Sequence, residues 1–207
     1  MLYQYLTENY KPNQPIFMSD IALPGVKDNN LRQMFKKLCD SGKVKRYDNG
    51  IYYLPAVTRL RGGQAIAPST VARYKYVARN GKVDGYYSGF TFANQLGLTT
   101  QVPYTVEIVT NNAGGKYREV SVQGLRVVLR KAKAKVTNEN CTVLQFLDLL
   151  KDIEQYNDET PQNAKKIIAD YARSASITKE RIAPYLQYYP DKLYRSLYEM
   201  ELYDVLA

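Results

Sequence analysis

The stretch DNNLRQMFKKLCDSGKVKRYDNGIYYLP, residues 28–55, decides the reading of the fold. At about 100° per residue, Leu31, Met34, Phe35 and Leu38 fall on one side of a helix running from Asn29 to Cys39. Asn29, Gln33 and Lys36 lie opposite, with Arg32 and Lys37 at the flanks and Asn30 beside them. Asp28 is placed to cap the helix, and Ser41-Gly42 to stop it. Lys43 to Tyr47 and Ile51 to Leu54 then read as two strands, joined through Asp48-Asn49-Gly50, because an Asn-Gly pair readily supplies positive φ in a tight hairpin.

Upstream, Leu2, Tyr3, Tyr5, Leu6 and Tyr10 recur at helical spacing until Lys11-Pro12 ends the pattern. Ile16-Phe17-Met18 leads into a brief expected helix over Ser19 to Ala22, which Pro24-Gly25 must interrupt. The resulting order is helix, helix, tight turn, helix and hairpin within about 55 residues, the order of a winged helix-turn-helix. On such a fold the amides and cations of the third helix face a major groove. Asn29, Asn30, Arg32, Gln33, Lys36 and Lys37 are therefore expected DNA-binding residues. Lys43, Lys45 and Arg46, on or beside the wing, are expected at phosphates or the minor groove.

Downstream, RLRGG (Arg59 to Gly63) reads as a linker, and Pro68 opens a helix through Val77. A turn or short strand at Gly85 precedes a helix starting near Ser88. Pro103 to Thr110, Tyr117 to Val122 and Leu125 to Arg130 are strand-like and rich in β-branched residues. Four helical segments follow, over Thr142–Tyr156, Pro161–Ser174, Thr178–Tyr188 and Pro190–Leu206, with Tyr194, Tyr198 and Tyr203 expected as packing residues. The expected class is α+β: a winged helix over 1–58, a linker over 59–67, and an effector region over 68–207 that is mixed to about 135 and helical from about 139.

Charge divides along the chain. Residues 1–79 hold 13 Lys/Arg against 5 Asp/Glu, residues 80–137 hold 8 against 3, and residues 138–207 hold 8 against 12. Attraction to phosphate is thus expected in the first two-thirds, and the acidic last third is expected to be repelled by DNA unless it faces away. The chain has no histidine, which removes imidazole bases, histidine triads and most transition-metal sites. Cys39 and Cys141 lie far apart in helical patterns and read as ordinary buried thiols. No P-loop, dinucleotide fingerprint or nucleophile elbow occurs. No catalytic residue, metal site or cofactor is expected. No stretch approaches the roughly 20 apolar residues of a membrane span, and the first residues carry no export leader, so the expected location is the cytoplasm with no membrane partner.

The helix and hairpin ending in NGIYYLP (Asn49 to Pro55), the segment YYSGFTFANQLGLTTQVP (Tyr86 to Pro103) and the strand VEIVTN (Val106 to Asn111) together resemble the AbiEi-type antitoxin regulators of bacterial abortive-infection systems. The resemblance covers approximately residues 1–135. It implies a repressor that binds duplex DNA at its own promoter and counteracts a nucleotidyltransferase-like toxin without stable toxin binding.

Two other readings stay open on the sequence. In one, the winged helix is a scaffold and the acidic helical tail binds a protein partner. In the other, Asp84, Glu107 and Glu119, with Lys116 and Arg118, serve a carboxylate-dependent nucleic-acid-processing enzyme.

Overall fold

The computed structural model describes residues 1–56 and 65–206. The expected linker over 59–67 therefore lies, up to residue 64, outside the described residues. The chain forms two compact units, Met1–Val71 and Ala72–Ala207, and its class is α+β, with sheets in the middle and helices dominating the last third.

The first unit comprises helix α1 (Leu2–Asn9), strand β1 (Ile16–Phe17), a 3-10 turn (Met18–Asp20), helix α2 (Asp28–Asp40) and strands β2 (Lys45–Asp48) and β3 (Ile51–Tyr53). The three strands pair antiparallel in the order β1-β3-β2, with Ile16 opposite Tyr52 and Phe17 opposite Ile51. The helix expected over Ser19–Ala22 is only the 3-10 turn. Ile16 and Phe17 are drawn into pairing with β3, and Pro24 closes off the chain a few residues later, leaving no room for a second α-turn. α2 begins at Asp28 itself, with Lys27 in the cap position and no side-chain cap bond. Asp28 instead sits in the first turn, where its charge complements the exposed N–H groups.

The second unit opens with helix α3 (Pro68–Tyr76), whose first turn lies in the first unit, and continues into a small hairpin of β4 (Ala78–Arg79) and β5 (Lys82–Val83). Asn80 and Gly81 both take positive φ at its tip. This hairpin was not among the expected elements, although Asn80-Gly81 is the same signal that marks the first one. A four-stranded sheet follows in the order β6-β7-β9-β8, from Gly85–Tyr87, Val106–Thr110, Leu125–Lys131 and Tyr117–Val122. β7 and β9 run parallel, and the other pairs antiparallel. Helix α4 (Gly89–Leu96) connects β6 to β7.

The last third holds α5 (Cys141–Lys151), α6 (Ile153–Tyr156), α7 (Pro161–Ser174), α8 (Lys179–Leu186), α9 (Lys192–Glu199) and a 3-10 turn (Leu202–Asp204). Val143, Phe146, Leu147, Leu150 and Ile153 are all buried, as their spacing requires, and they pack with Phe92, Leu98 and Ile168 in one core. The segment expected as one helix over Thr142–Tyr156 breaks at Asp152, and that over Pro190–Leu206 breaks at Glu201, which takes a left-handed φ of 48°. Tyr194, Tyr198 and Tyr203 are exposed rather than packed, because Leu193, Leu197 and Leu202 occupy the inward positions of the same turns. Among the described residues no helix is long and apolar enough to cross a membrane.

A buried polar bond joins sheet and helices: the Tyr86 hydroxyl of β6 donates to Asp148 Oδ2 of α5 at 2.7 Å. Burial, then the Asp148 charge, pushes the Tyr86 phenol well above its usual range. Burial is also the leading cause of upward shifts at Tyr171 and Tyr189. Folded phenols with raised pKa stay protonated where the unfolded chain ionises, near pH 10. The stability they contribute is complete below that value and is lost as pH rises further. Denaturant titrations should therefore give a midpoint that falls as pH rises through about 10, with Tyr86→Phe showing a shallower fall there than the unaltered chain.

Candidate nucleic-acid interface

α2 is fixed by its inner face. Leu31 and Phe35 are buried, with Met34, Leu38 and Cys39 partly so, against Leu2, Leu6, Ile16, Val44 and Tyr52. The Phe35 ring stacks on Tyr52 of β3, centroids 4.2 Å apart and planes 18° from parallel. With that face anchored, Asn29, Asn30, Arg32, Gln33, Lys36 and Lys37 are all exposed.

The hairpin beside α2 turns at Asp48-Asn49-Gly50. Gly50 has φ of +70°, a left-handed conformation that costs glycine little, while Asn49 does not take positive φ. The Asn49 N–H donates to Asp48 Oδ1 at 2.7 Å. Arg46 reaches along the turn, donating to the Asp48 carbonyl and to Asn49 Oδ1, each at 3.3 Å. The guanidinium thus braces the hairpin turn while remaining exposed.

Between α2 and the hairpin lies a cleft of about 540 Å³, lined in part by Arg32, Lys36, Cys39, Asp40, Arg46 and Asn49. Arg32 and Lys36, one turn apart on the helix, and Arg46 from the hairpin give it three cations against one carboxylate. Gln33, Asn30 and Lys37 project from the other flank of the helix, in keeping with their angular positions. Burial, reinforced by Asp40, pushes the Cys39 thiol up, so it is protonated and unreactive at neutral pH. Both cysteines are free and half-buried rather than fully buried.

One of the expected hairpin residues sits differently from expectation. β2 starts at Lys45, so Lys43 belongs to the connection after α2, where its N–H bonds to the Leu38 carbonyl and its ammonium lies 5.1 Å from the Tyr3 ring of α1. It is directed at α1 rather than along the hairpin because the chain is still closing α2 at that point. Lys45 is only half-exposed and pairs opposite Tyr53.

The carboxylates considered for catalysis are separately partnered. Asp84 meets Lys82 at 2.8 Å, Glu107 meets Arg130 at 2.8 Å, and Glu119 meets Arg126 at 3.1 Å. Among the described residues no group of three His, Cys, Asp or Glu side chains is arranged to hold a metal ion.

Residues 9–179 match a family described only as of unknown function, DUF6088. The chain belongs to the DUF6088 family. No curated protein matches it. The DUF6088 match runs from the end of α1 to the start of α8, so it takes in α2, both hairpins and the whole four-stranded sheet. It carries no activity, and the functional reading rests on the geometry just described.

Because Phe35 holds the whole exposed face of α2 in register, Phe35→Ala should destabilise the first unit by about 3–5 kcal/mol. Urea denaturation followed by circular dichroism measures this. A loss below about 1 kcal/mol would mean that the stack on Tyr52 does not anchor the helix.

Proposed function

We propose that the first unit is a winged-helix reader of duplex DNA and that the protein is a transcriptional regulator acting at its own promoter. The observation that carries this reading is the shared cleft: Arg32 and Lys36 of α2 and Arg46 of the hairpin converge on one exposed surface, while the apolar face of the same helix is turned inward. A helix presented this way offers its outer residues to a major groove, and a hairpin beside it offers cations to the flanking backbone. Gln33, with two donors and an acceptor, suits an adenine edge, and Asn29 and Asn30 have the same capacity. The separation of a basic first two-thirds from an acidic last third supports an electrostatic approach to phosphate.

The AbiEi resemblance extends this proposal to an autoregulating antitoxin that counteracts a nucleotidyltransferase-like toxin, working in the cytoplasm. A second reading has its own support. Tyr194, Tyr198 and Tyr203 are exposed on the acidic tail, and tyrosine is enriched at protein interfaces. In that reading the tail binds a protein partner.

Titration of the protein's own promoter fragment against a scrambled duplex, at several salt concentrations, tests the DNA proposal. Affinity should fall steeply with salt. Gln33→Ala should narrow the gap between the two duplexes by about 1–3 kcal/mol. Lys36→Ala should weaken both, and Arg46→Ala should weaken both while loosening the wing tip. Salt-independent binding, or equal losses on both duplexes for Gln33→Ala with the fold intact by circular dichroism, would remove the base-reading role of α2.

A further inference from the structure

The β8 side of the four-stranded sheet carries a patch where exposed tyrosines meet arginines. In the ladder register, Arg126, Val128 and Arg130 of β9 stand on one face, opposite Ser121, Glu119 and Tyr117 of the edge strand β8. Tyr104, just ahead of β7, is 79% exposed, and its ring lies 5.7 Å from the Arg126 guanidinium. Tyr117, at the other end of β8, is 57% exposed. Its hydroxyl donates to Glu119 Oε1 at 2.7 Å, and Glu119 Oε2 pairs with Arg126 at 3.1 Å. Two exposed aromatic rings therefore bracket a row of two arginines whose positions are roughly 13 Å apart along the strand. Beyond Arg130 the chain reads Lys131-Ala132-Lys133-Ala134-Lys135, with all three lysines exposed and no acid between Arg126 and Lys135.

An exposed tyrosine beside a guanidinium is a ready stacking platform, since the cation is attracted to the ring and a flat base fits the remaining surface. Bases inside a duplex have their faces covered by their neighbours, so only unpaired bases can use such rings. Arg126, exposed on this face between the two rings, matches a phosphate in sign, whereas Arg130 is held by Glu107 at 2.8 Å and Lys133 donates to the Tyr188 carbonyl at 2.9 Å. We propose that this face of the second unit binds single-stranded nucleic acid, with Tyr104 and Tyr117 stacking on bases and Arg126 holding a phosphate. Glu119 is the internal competitor of this site: its carboxylate occupies Arg126 until a phosphate displaces it. The site is separate from the α2 cleft and does not depend on the duplex-reading proposal.

The test uses the full chain and a labelled uridine oligonucleotide of about 12 nucleotides, followed by fluorescence anisotropy. The strand should bind in a salt-dependent way. Tyr104→Ala and Tyr117→Ala should each weaken binding about tenfold, and Tyr104→Phe should retain it, because the ring rather than the hydroxyl is used. Glu119→Gln should tighten binding severalfold by freeing Arg126, a gain that a merely structural carboxylate would not give. None of these variants should alter affinity for the promoter duplex, whereas Arg32→Ala and Lys36→Ala should affect the duplex and spare the strand. All altered side chains except Arg32 and Lys36 are exposed on the sheet, and circular dichroism verifies the fold in each variant. No binding at low salt, unchanged affinity in both tyrosine-to-alanine variants, or sedimentation showing that the face pairs two copies of the chain would overturn the proposal.

Discussion

The stack of Phe35 on Tyr52 is the contact on which the presentation of the first unit depends. A helix with a hydrophobic stripe can be rolled about its axis at little cost unless a large side chain locks it, and an aromatic pair packed in the core supplies both buried area and a preferred angle. Once Phe35 is seated on β3, the roll of α2 is set, and with it the exposure of Asn29, Arg32, Gln33 and Lys36. The same β-strand carries Ile51, which pairs β1 on one side and β2 on the other, so helix, sheet and hairpin share one anchor. The cleft cations are consequently brought together by packing well away from them.

The second unit follows a different constraint, the pairing of charges at the margins of its sheet. Glu107 and Glu119 flank Val128 from the two neighbouring strands, and each is met by an arginine of β9. Gly89, with φ of +57°, opens α4 directly against the Glu107 carboxylate, where an added Cβ would lie 2.3 Å from Oε1. A side chain at that position would displace the acid and release Arg130. The sheet's basic character is thus restrained at two points by carboxylates, one half-buried and structural, the other exposed and open to exchange with a ligand anion. Exposed pairs of the second kind are worth little as stabilising contacts, which leaves them free to serve recognition.

Seen together, the two units divide the charge of the chain between distinct surfaces. In the first, cations line a cleft between helix and hairpin. In the second, Arg126 stands between exposed tyrosines on the β8 side of the sheet. The acidic tail carries Tyr194, Tyr198 and Tyr203 outward.

The sequence by itself determined the elements whose signal is local. The Leu31, Met34, Phe35, Leu38 spacing set α2 and its buried face, Asn49-Gly50 set the hairpin, and the Val143 to Ile153 stripe set α5 and the packed side of α6. These follow from backbone sterics and from a helical period repeated over several turns. Tertiary structure decided what depends on partners distant in sequence. Ile16 and Phe17 became a strand because β3 had an edge to satisfy. Lys43 turned to Tyr3 of α1, Arg46 came to share a cleft with Arg32 and Lys36, and Tyr104 met Arg126 across the mouth of the sheet. Tyr194, Tyr198 and Tyr203 stayed in water because the leucines beside them filled the inward positions first. Helix periodicity shows that one face of a segment is apolar. Which tyrosines and cations lie beyond its edge, and what they meet there, is set only when a second element closes over it, since long side chains reach across several ångströms to partners that local spacing does not specify.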